Sequence, residues 1–120
     1  MRVGIGYDAH RLVKGTGMWL GGVYIKCNFS VLAYSDGDVI IHAIIDALLG
    51  AANLGDIGKQ FPSHDPAYKD ISGLELLKST KVLLEGQGME IINIDVTLIA
   101  ETPKIAEQTS LMEENISVYL

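Results

Sequence analysis

Three residues have the types and spacing that could do chemistry: Asp8, His10 and His42. Residues 2–10, Arg-Val-Gly-Ile-Gly-Tyr-Asp-Ala-His, read as a short strand. Side chains two apart in an extended segment point to the same face, so Asp8 and His10 can converge on one ion. His42 lies in a strongly apolar stretch, roughly 38 to 53, whose composition predicts a buried helix. One carboxylate and two imidazoles suit zinc, and three protein ligands leave a fourth position for a substrate oxygen. On spacing alone the competing reading stays open, because a lone histidine in an apolar helix is more often a satisfied core residue.

Two further carboxylates share the helical face of His42. Asp38, His42 and Asp46 stand at i, i+4 and i+8, where Asp38 or Asp46 could orient the imidazole and fix its tautomer. Alternatively, Asp38 stabilises the positive end of the helix and Asp46 pairs elsewhere. The stretch Gly55-Asp-Ile-Gly-Lys-Gln-Phe-Pro-Ser-His-Asp65 carries glycines that let backbone amides approach a ligand. Its Asp56 and Asp65 could accept hydrogen bonds from sugar hydroxyls, or the whole stretch is an ordinary surface loop.

The elements that must position these groups follow from pattern. A second strand candidate, residues 18–26, is broken by Gly21-Gly22 at a turn or bulge. Ser35-Asp-Gly-Asp38 is a helix-start signal. Residues 55–71 form a long loop, a frequent place for function in a small domain. Ser72-Gly-Leu-Glu75 has capping-box spacing and opens a second helix, which Gly86 and Gly88 stop. Residues 91–100 alternate cleanly, with Ile92, Ile94, Val96 and Leu98 on one face, which predicts a strand. Thr102-Pro103 reads as a helix start, followed by a stripe of Ile105, Thr109, Met112, Ile116 and Tyr119. The expected fold is therefore α+β, a mixed α/β sandwich with one sheet packed against helices in a single domain over residues 1–120.

Bulk properties narrow the classes. A chain of 120 residues with 48% hydrophobic and 20% charged residues has room for one modest core. Its formal charge of -6 argues against a nucleic-acid partner. An acidic chain can still hold a phosphorylated ligand where metal ions and helix N-termini supply local positive potential. Cys27 is the only cysteine, which excludes an intrachain disulfide and a Cys-rich zinc site. The longest apolar run, Val39 to Leu54, is interrupted by His42, Asp46 and Asn53, so no membrane span is expected. With no signal-peptide form at the N-terminus, a cytoplasmic protein is the expectation.

Taken together, Gly6-Tyr-Asp-Ala-His10, Leu32-Ala-Tyr-Ser-Asp-Gly-Asp38, His42-Ala-Ile-Ile-Asp-Ala-Leu-Leu-Gly-Ala-Ala52, Gly55-Asp-Ile-Gly-Lys59, Phe61-Pro62 and Asp95-Val-Thr97 closely resemble the 2-C-methyl-D-erythritol 2,4-cyclodiphosphate synthases. The resemblance runs in one register over essentially the whole chain. It implies an enzyme (a phosphorus–oxygen lyase) that cyclises 4-diphosphocytidyl-2-C-methyl-D-erythritol 2-phosphate, with release of CMP, in non-mevalonate isoprenoid biosynthesis. It implies that Asp8, His10 and His42 bind a catalytic zinc, with Ala9 beside them at the substrate, and that Tyr34 and Ser35 act in catalysis and substrate binding. Asp56, Ile57 and Gly58 are implied at the ribose. Phe61, Pro62, Ser63, His64 and Asp65 are implied at the erythritol side. Ala100, Glu101, Thr102, Pro103, Lys104, Ile105 and Ala106 are implied at the cytosine pocket. The resemblance also implies a homotrimer with active sites between subunits, and a second divalent ion, magnesium or manganese, whose protein ligand would lie beyond residue 120.

Two departures from that pattern matter. Position 34, usually histidine in the family, is Tyr34 here, a neutral hydroxyl in place of a group that can carry charge. The family also continues past this point with a strand and a helix, so the domain is expected to be C-terminally incomplete. Two other functions share these residues: a metal-dependent phosphohydrolase that activates water at the same three ligands, and a non-catalytic homologue that binds a nucleotide or an isoprenoid.

Overall fold

The computed structural model describes all 120 residues. Its first feature is a long antiparallel hairpin, made from β1 (Leu12–Lys14), β2 (Gly17–Leu20), β3 (Val23–Lys26) and β4 (Phe29–Val31). β2 pairs with β3 through Leu20↔Val23, and β1 pairs with β4 through Val13↔Ser30. One register runs through both ladders, which are separated where Gly15 N–H donates to Asn28 O and Cys27 N–H to Thr16 O. Gly21 and Gly22 form the turn with φ of 60° and 76°. A two-residue hairpin turn with both residues left-handed matches strand twist, and glycine alone adopts it without penalty.

α1 (Val39–Ala51) lies against the hairpin and against α3 (Gly73–Gly86), while α4 (Thr109–Tyr119) closes the turn end of the hairpin. Between them come the short α2 (Ile57–Gln60) and a 3-10 turn at Pro66–Tyr68. The core joins Met18, Leu20 and Ile25 of the hairpin to Ile41, Ile45 and Leu49 of α1, Leu76 and Leu77 of α3, and Met112 of α4. Each such side chain removed from water contributes about 1.5–3 kcal/mol before entropy is counted.

Asp38 joins the hairpin to α1. Fully buried, it caps α1 by accepting from Ile41 N–H at 3.1 Å, and it accepts from the turn amides of Gly21 at 2.9 Å and Gly22 at 2.7 Å. Burial pushes the Asp38 carboxyl above the usual carboxylate range, although the amides of Gly22, Ile41 and Gly21 pull the other way. Its carboxylate is thus committed to the hairpin turn and the helix start, not to the His42 imidazole.

The α+β class expected from the sequence is present, with its strands in two two-stranded ladders rather than one continuous sheet. Residues 2–10 and 91–100, both read as strands from their patterns, join no ladder. Alternation selects a face but supplies no partner, and a strand exists only where a neighbour completes its hydrogen bonds. A groove of about 590 Å³ lies between these segments, floored by Ile44, Ala47 and Leu48 of α1 and Leu84 of α3. The final helix starts at Thr109 instead of directly after Thr102-Pro103, whose peptide bond is cis. Met112, Ile116 and Tyr119 of the expected stripe still face the core, joined by Ile105 from before the helix, whereas Thr109 is exposed.

Replacing Asp38 by Ala orphans three amides at once. The Asp38→Ala protein is expected to lose about 2–4 kcal/mol of stability, read as a lower urea midpoint. A midpoint equal to the parent's would contradict the clamp.

Candidate metal centre

The site is built by close approach of two backbones. A Cβ placed on Gly4 would fall on the Ala47 carbonyl oxygen, and one on Gly6 on the Ala43 carbonyl oxygen. The N-terminal segment therefore lies flat on α1, along the stripe Ala43, Ala47 and Ala51, with Arg2 Nη1 donating to Ala51 O at 3.3 Å. That contact brings Asp8 and His10 level with His42, one residue before the stripe.

Asp8 Oδ2 lies 2.9 Å from His10 Nε2 and 3.3 Å from His42 Nδ1, and the two ring nitrogens are 3.3 Å apart. Tetrahedral coordination with bonds of about 2.0–2.1 Å sets ligand atoms about 3.3–3.4 Å apart. The observed triangle is close to that spacing. Asp8 Oδ2 is buried, yet no donor reaches it in hydrogen-bonding geometry despite the two nearby nitrogens. Three lone-pair atoms gathered this way fit a shared cation better than they fit one another. Burial works to raise the Asp8 carboxyl, but the close His10 and His42 imidazoles outweigh it and pull the group below the usual carboxylate range.

Ser35 sets the orientation of the buried ring. Its Oγ lies 3.1 Å from His42 Nε2, the nitrogen that faces away from the triangle. With Nδ1 turned to a cation, Nε2 carries the ring proton and donates it to Ser35. This corrects the sequence expectation that Asp38 or Asp46 does this work. Asp46 accepts instead from Ile57 N–H at 2.7 Å, anchoring the start of α2 to the helix that carries His42. Burial raises the Asp46 carboxyl, the Ile57 amide lowers it, and the charges of Asp56 and Asp8 raise it further.

A cavity of about 250 Å³ opens on the triangle, lined by Asp8, His10, Tyr34, Ser35, His42, Ile57, Gly58, Phe61 and Ser63 among the residues expected from sequence. Ala33, Tyr68, Ile71 and Leu76 also line it and were not expected. These four are ordinary apolar residues, and only their proximity in the fold gives them a role. Ala9, Asp56, Pro62, His64 and Asp65 lie outside its wall, as do Ala100, Glu101, Thr102, Pro103, Lys104, Ile105 and Ala106. Asp56 caps α2 through Lys59 N–H at 2.8 Å, and Asp65 caps the 3-10 turn through Ala67 N–H at 2.9 Å. The signal for the backbone contact was present in the sequence as Gly4-x-Gly6 beside alanines spaced by four.

Two variants test this assembly. Gly6→Ala should lift the N-terminal segment from α1 and abolish stoichiometric zinc binding with helix content retained, as read by metal analysis and circular dichroism. Ser35→Ala should weaken zinc binding by about 10- to 100-fold in a competition titration against a chromogenic chelator. Unaltered affinity in the serine variant would show that His42 is oriented by something else.

Comparison with known proteins places this geometry. A model of the YgbB family matches residues 1–120. The 2-C-methyl-D-erythritol 2,4-cyclodiphosphate synthase of Agathobacter rectalis is 52% identical over 117 residues, covering 98% of this chain and 66% of the relative. The enzyme of the same name from Desulforamulus reducens is 50% identical over 117 residues, covering 98% of this chain and 74% of its own length. The chain thus spans about two thirds to three quarters of these curated relatives. A solved structure of a 2C-methyl-D-erythritol-2,4-cyclodiphosphate synthase, in a form bound to CDP, superposes with a TM-score of 0.92 at 35% identity. It covers 98% of this chain and 79% of that one.

Proposed function

The chain belongs to the YgbB family, and from that membership we propose that its site takes part in cyclising 4-diphosphocytidyl-2-C-methyl-D-erythritol 2-phosphate. The products are 2-C-methyl-D-erythritol 2,4-cyclodiphosphate and CMP, so the enzyme is a phosphorus–oxygen lyase of isoprenoid precursor synthesis. The observation that carries the proposal is the triangle of Asp8 Oδ2, His10 Nε2 and His42 Nδ1, with sides of 2.9–3.3 Å, at the wall of a cavity. The relatives' names and the CDP bound in the similar structure support a cytidine diphosphate ligand.

In this reaction an oxygen of the substrate's own 2-phosphate forms a bond to the β-phosphorus, and the bond from that phosphorus to the CMP oxygen breaks. The attacking oxygen is already anionic near neutrality, so no side chain need remove a proton, and catalysis reduces to alignment and charge neutralisation. Asp8, His10 and His42 would hold zinc, which when bound supplies a Lewis acid for a phosphate oxygen. Ser35 keeps the His42 lone pair aimed at the ion. Ala9 would present backbone beside the phosphates, and Tyr34 would stand in the cavity wall. Asp56, Ile57 and Gly58 would meet the ribose, held in place through the Asp46–Ile57 bond. Phe61, Pro62, Ser63, His64 and Asp65 would flank the erythritol.

The segment Ala100, Glu101, Thr102, Pro103, Lys104, Ile105 and Ala106 lies off the cavity of its own chain. A homotrimer whose sites form between subunits would let this segment bind cytosine at a neighbour's metal. A second divalent ion, magnesium or manganese, would supply charge neutralisation for the diphosphate. No helix is long and apolar enough to cross a membrane, and we place the protein in the cytoplasm.

The test is turnover of the natural substrate by the full-length protein. CMP and cyclic product should appear together, stop with a zinc chelator, and fall at least about 100-fold in His42→Ala and Asp8→Asn. Reaction in ¹⁸O water separates the hydrolytic alternative: label in the product would assign a phosphohydrolase. Nucleotide binding without CMP release would leave a non-catalytic homologue.

A further inference from the structure

Tyr34 makes contacts that a group reserved for the reacting phosphates would not make. Its hydroxyl donates to the Asp65 carbonyl at 3.0 Å. A phenol has one proton to give, so while this bond stands the hydroxyl offers the cavity only lone pairs and cannot donate to an anion. The Tyr34 carbonyl accepts from Asp70 N–H at 3.0 Å, Asp36 N–H donates to the Ile71 carbonyl at 3.1 Å, and Asp36 Oδ2 accepts from Gly73 N–H at 2.8 Å. Residues 34–36 thus grip residues 65–73 at four points, three of which do not depend on the side chain at position 34: one through the Tyr34 carbonyl, one through the Asp36 amide and one through the Asp36 carboxylate. The fourth requires a side chain that reaches.

The gripped segment has its own internal structure. Asp65 N–H donates to the Pro62 carbonyl at 3.1 Å, Asp65 Oδ1 caps Ala67, and the Phe61 and Tyr68 rings meet edge to face at 5.5 Å. Upstream of it, the start of α2 is tied to α1 where Ile57 N–H donates to Asp46, four residues after His42. Tyr34, Phe61, Ser63 and Tyr68 all stand in the cavity wall. Ser35, which orients His42, is the next residue along the chain.

We infer that Tyr34 is a positioning residue whose hydroxyl straps the Asp65 end of the Phe61–Asp65 segment, and so fixes Phe61 and Ser63 in the wall of the cavity beside the Asp8–His10–His42 triangle. The inference deepens the proposed function and rests on it for its kinetic consequence, though not for the strap itself. A tyrosine here spends its polar group on shaping the erythritol side. A side chain that cannot reach the Asp65 carbonyl would leave residues 70–73 held as before and residue 65 without this tie.

Tyr34→Phe and Tyr34→His in the zinc-loaded full-length protein test this, by hydrogen exchange of amides 61–68 alongside steady-state kinetics. Loss of one such bond should speed exchange there by about 2- to 10-fold in both variants, with zinc content unchanged. KM for the substrate should rise by a similar factor in both variants, and by more than kcat falls. Unchanged exchange in both variants overturns the strap, and so does a fall in kcat at constant KM in Tyr34→Phe, which would put the hydroxyl on the reacting phosphates. Faster exchange in variants of a protein that never turns over substrate would discard the reaction assigned here and leave the strap standing.

Discussion

The closeness of two backbones, the N-terminal segment and α1, underlies everything at the candidate metal centre. Helix and segment touch without intervening side chains because Gly4 and Gly6 meet the carbonyls of Ala47 and Ala43. A donor triangle about 3 Å on a side tolerates little displacement, since coordination distances vary by only about 0.2 Å. One added methyl group in that contact moves two of the three ligands together. Helix α1 can serve as the reference because Ile41, Ile45 and Leu49 are fully buried and its first turn is capped by Asp38.

Division of labour among the carboxylates follows from the same frame. Asp8 faces the cavity, Asp38 is spent on the hairpin turn, and Asp46 on the loop that opens at Ile57. Each buried acid oxygen that finds amides is held by them, as burial requires. The exception is Asp8 Oδ2, buried without a donor beside two imidazoles. An acid left in that condition makes sense as one part of a cation site.

Around the triangle, the walls are supplied by segments with little regular structure, held by side-chain bonds to neighbouring backbone. Asp46, Asp56, Tyr34 and Asp65 each fix one point of the stretch from Ile57 to Tyr68. Such ties are individually modest, so this wall is the part of the site best able to adjust to a ligand, whereas the ligands themselves sit on the helix and on the segment packed against it.

Much was legible without coordinates. The caps at Asp38 and Ser72, the turn at Gly21-Gly22 and the spans of α1 and α3 followed from residue type and spacing, because those rules act within a few residues along the chain. Asp8, His10 and His42 stood out by residue type, but spacing alone left His42 open as a core histidine. The family could be read from motifs spread over the whole sequence. Tertiary structure decided what depends on partners distant in the chain. Residues 91–100 alternate as a strand does but meet no neighbour to pair with, and Asp38 and Asp46 share a helical face with His42 yet are claimed by Gly21, Gly22 and Ile57. Ser35 turns the imidazole because the chain bends back there, and Tyr34 reaches Asp65 across 31 positions. A side chain's choice of hydrogen-bond partner depends on what lies within about 3 Å in space, and sequence order specifies that distance only for near neighbours.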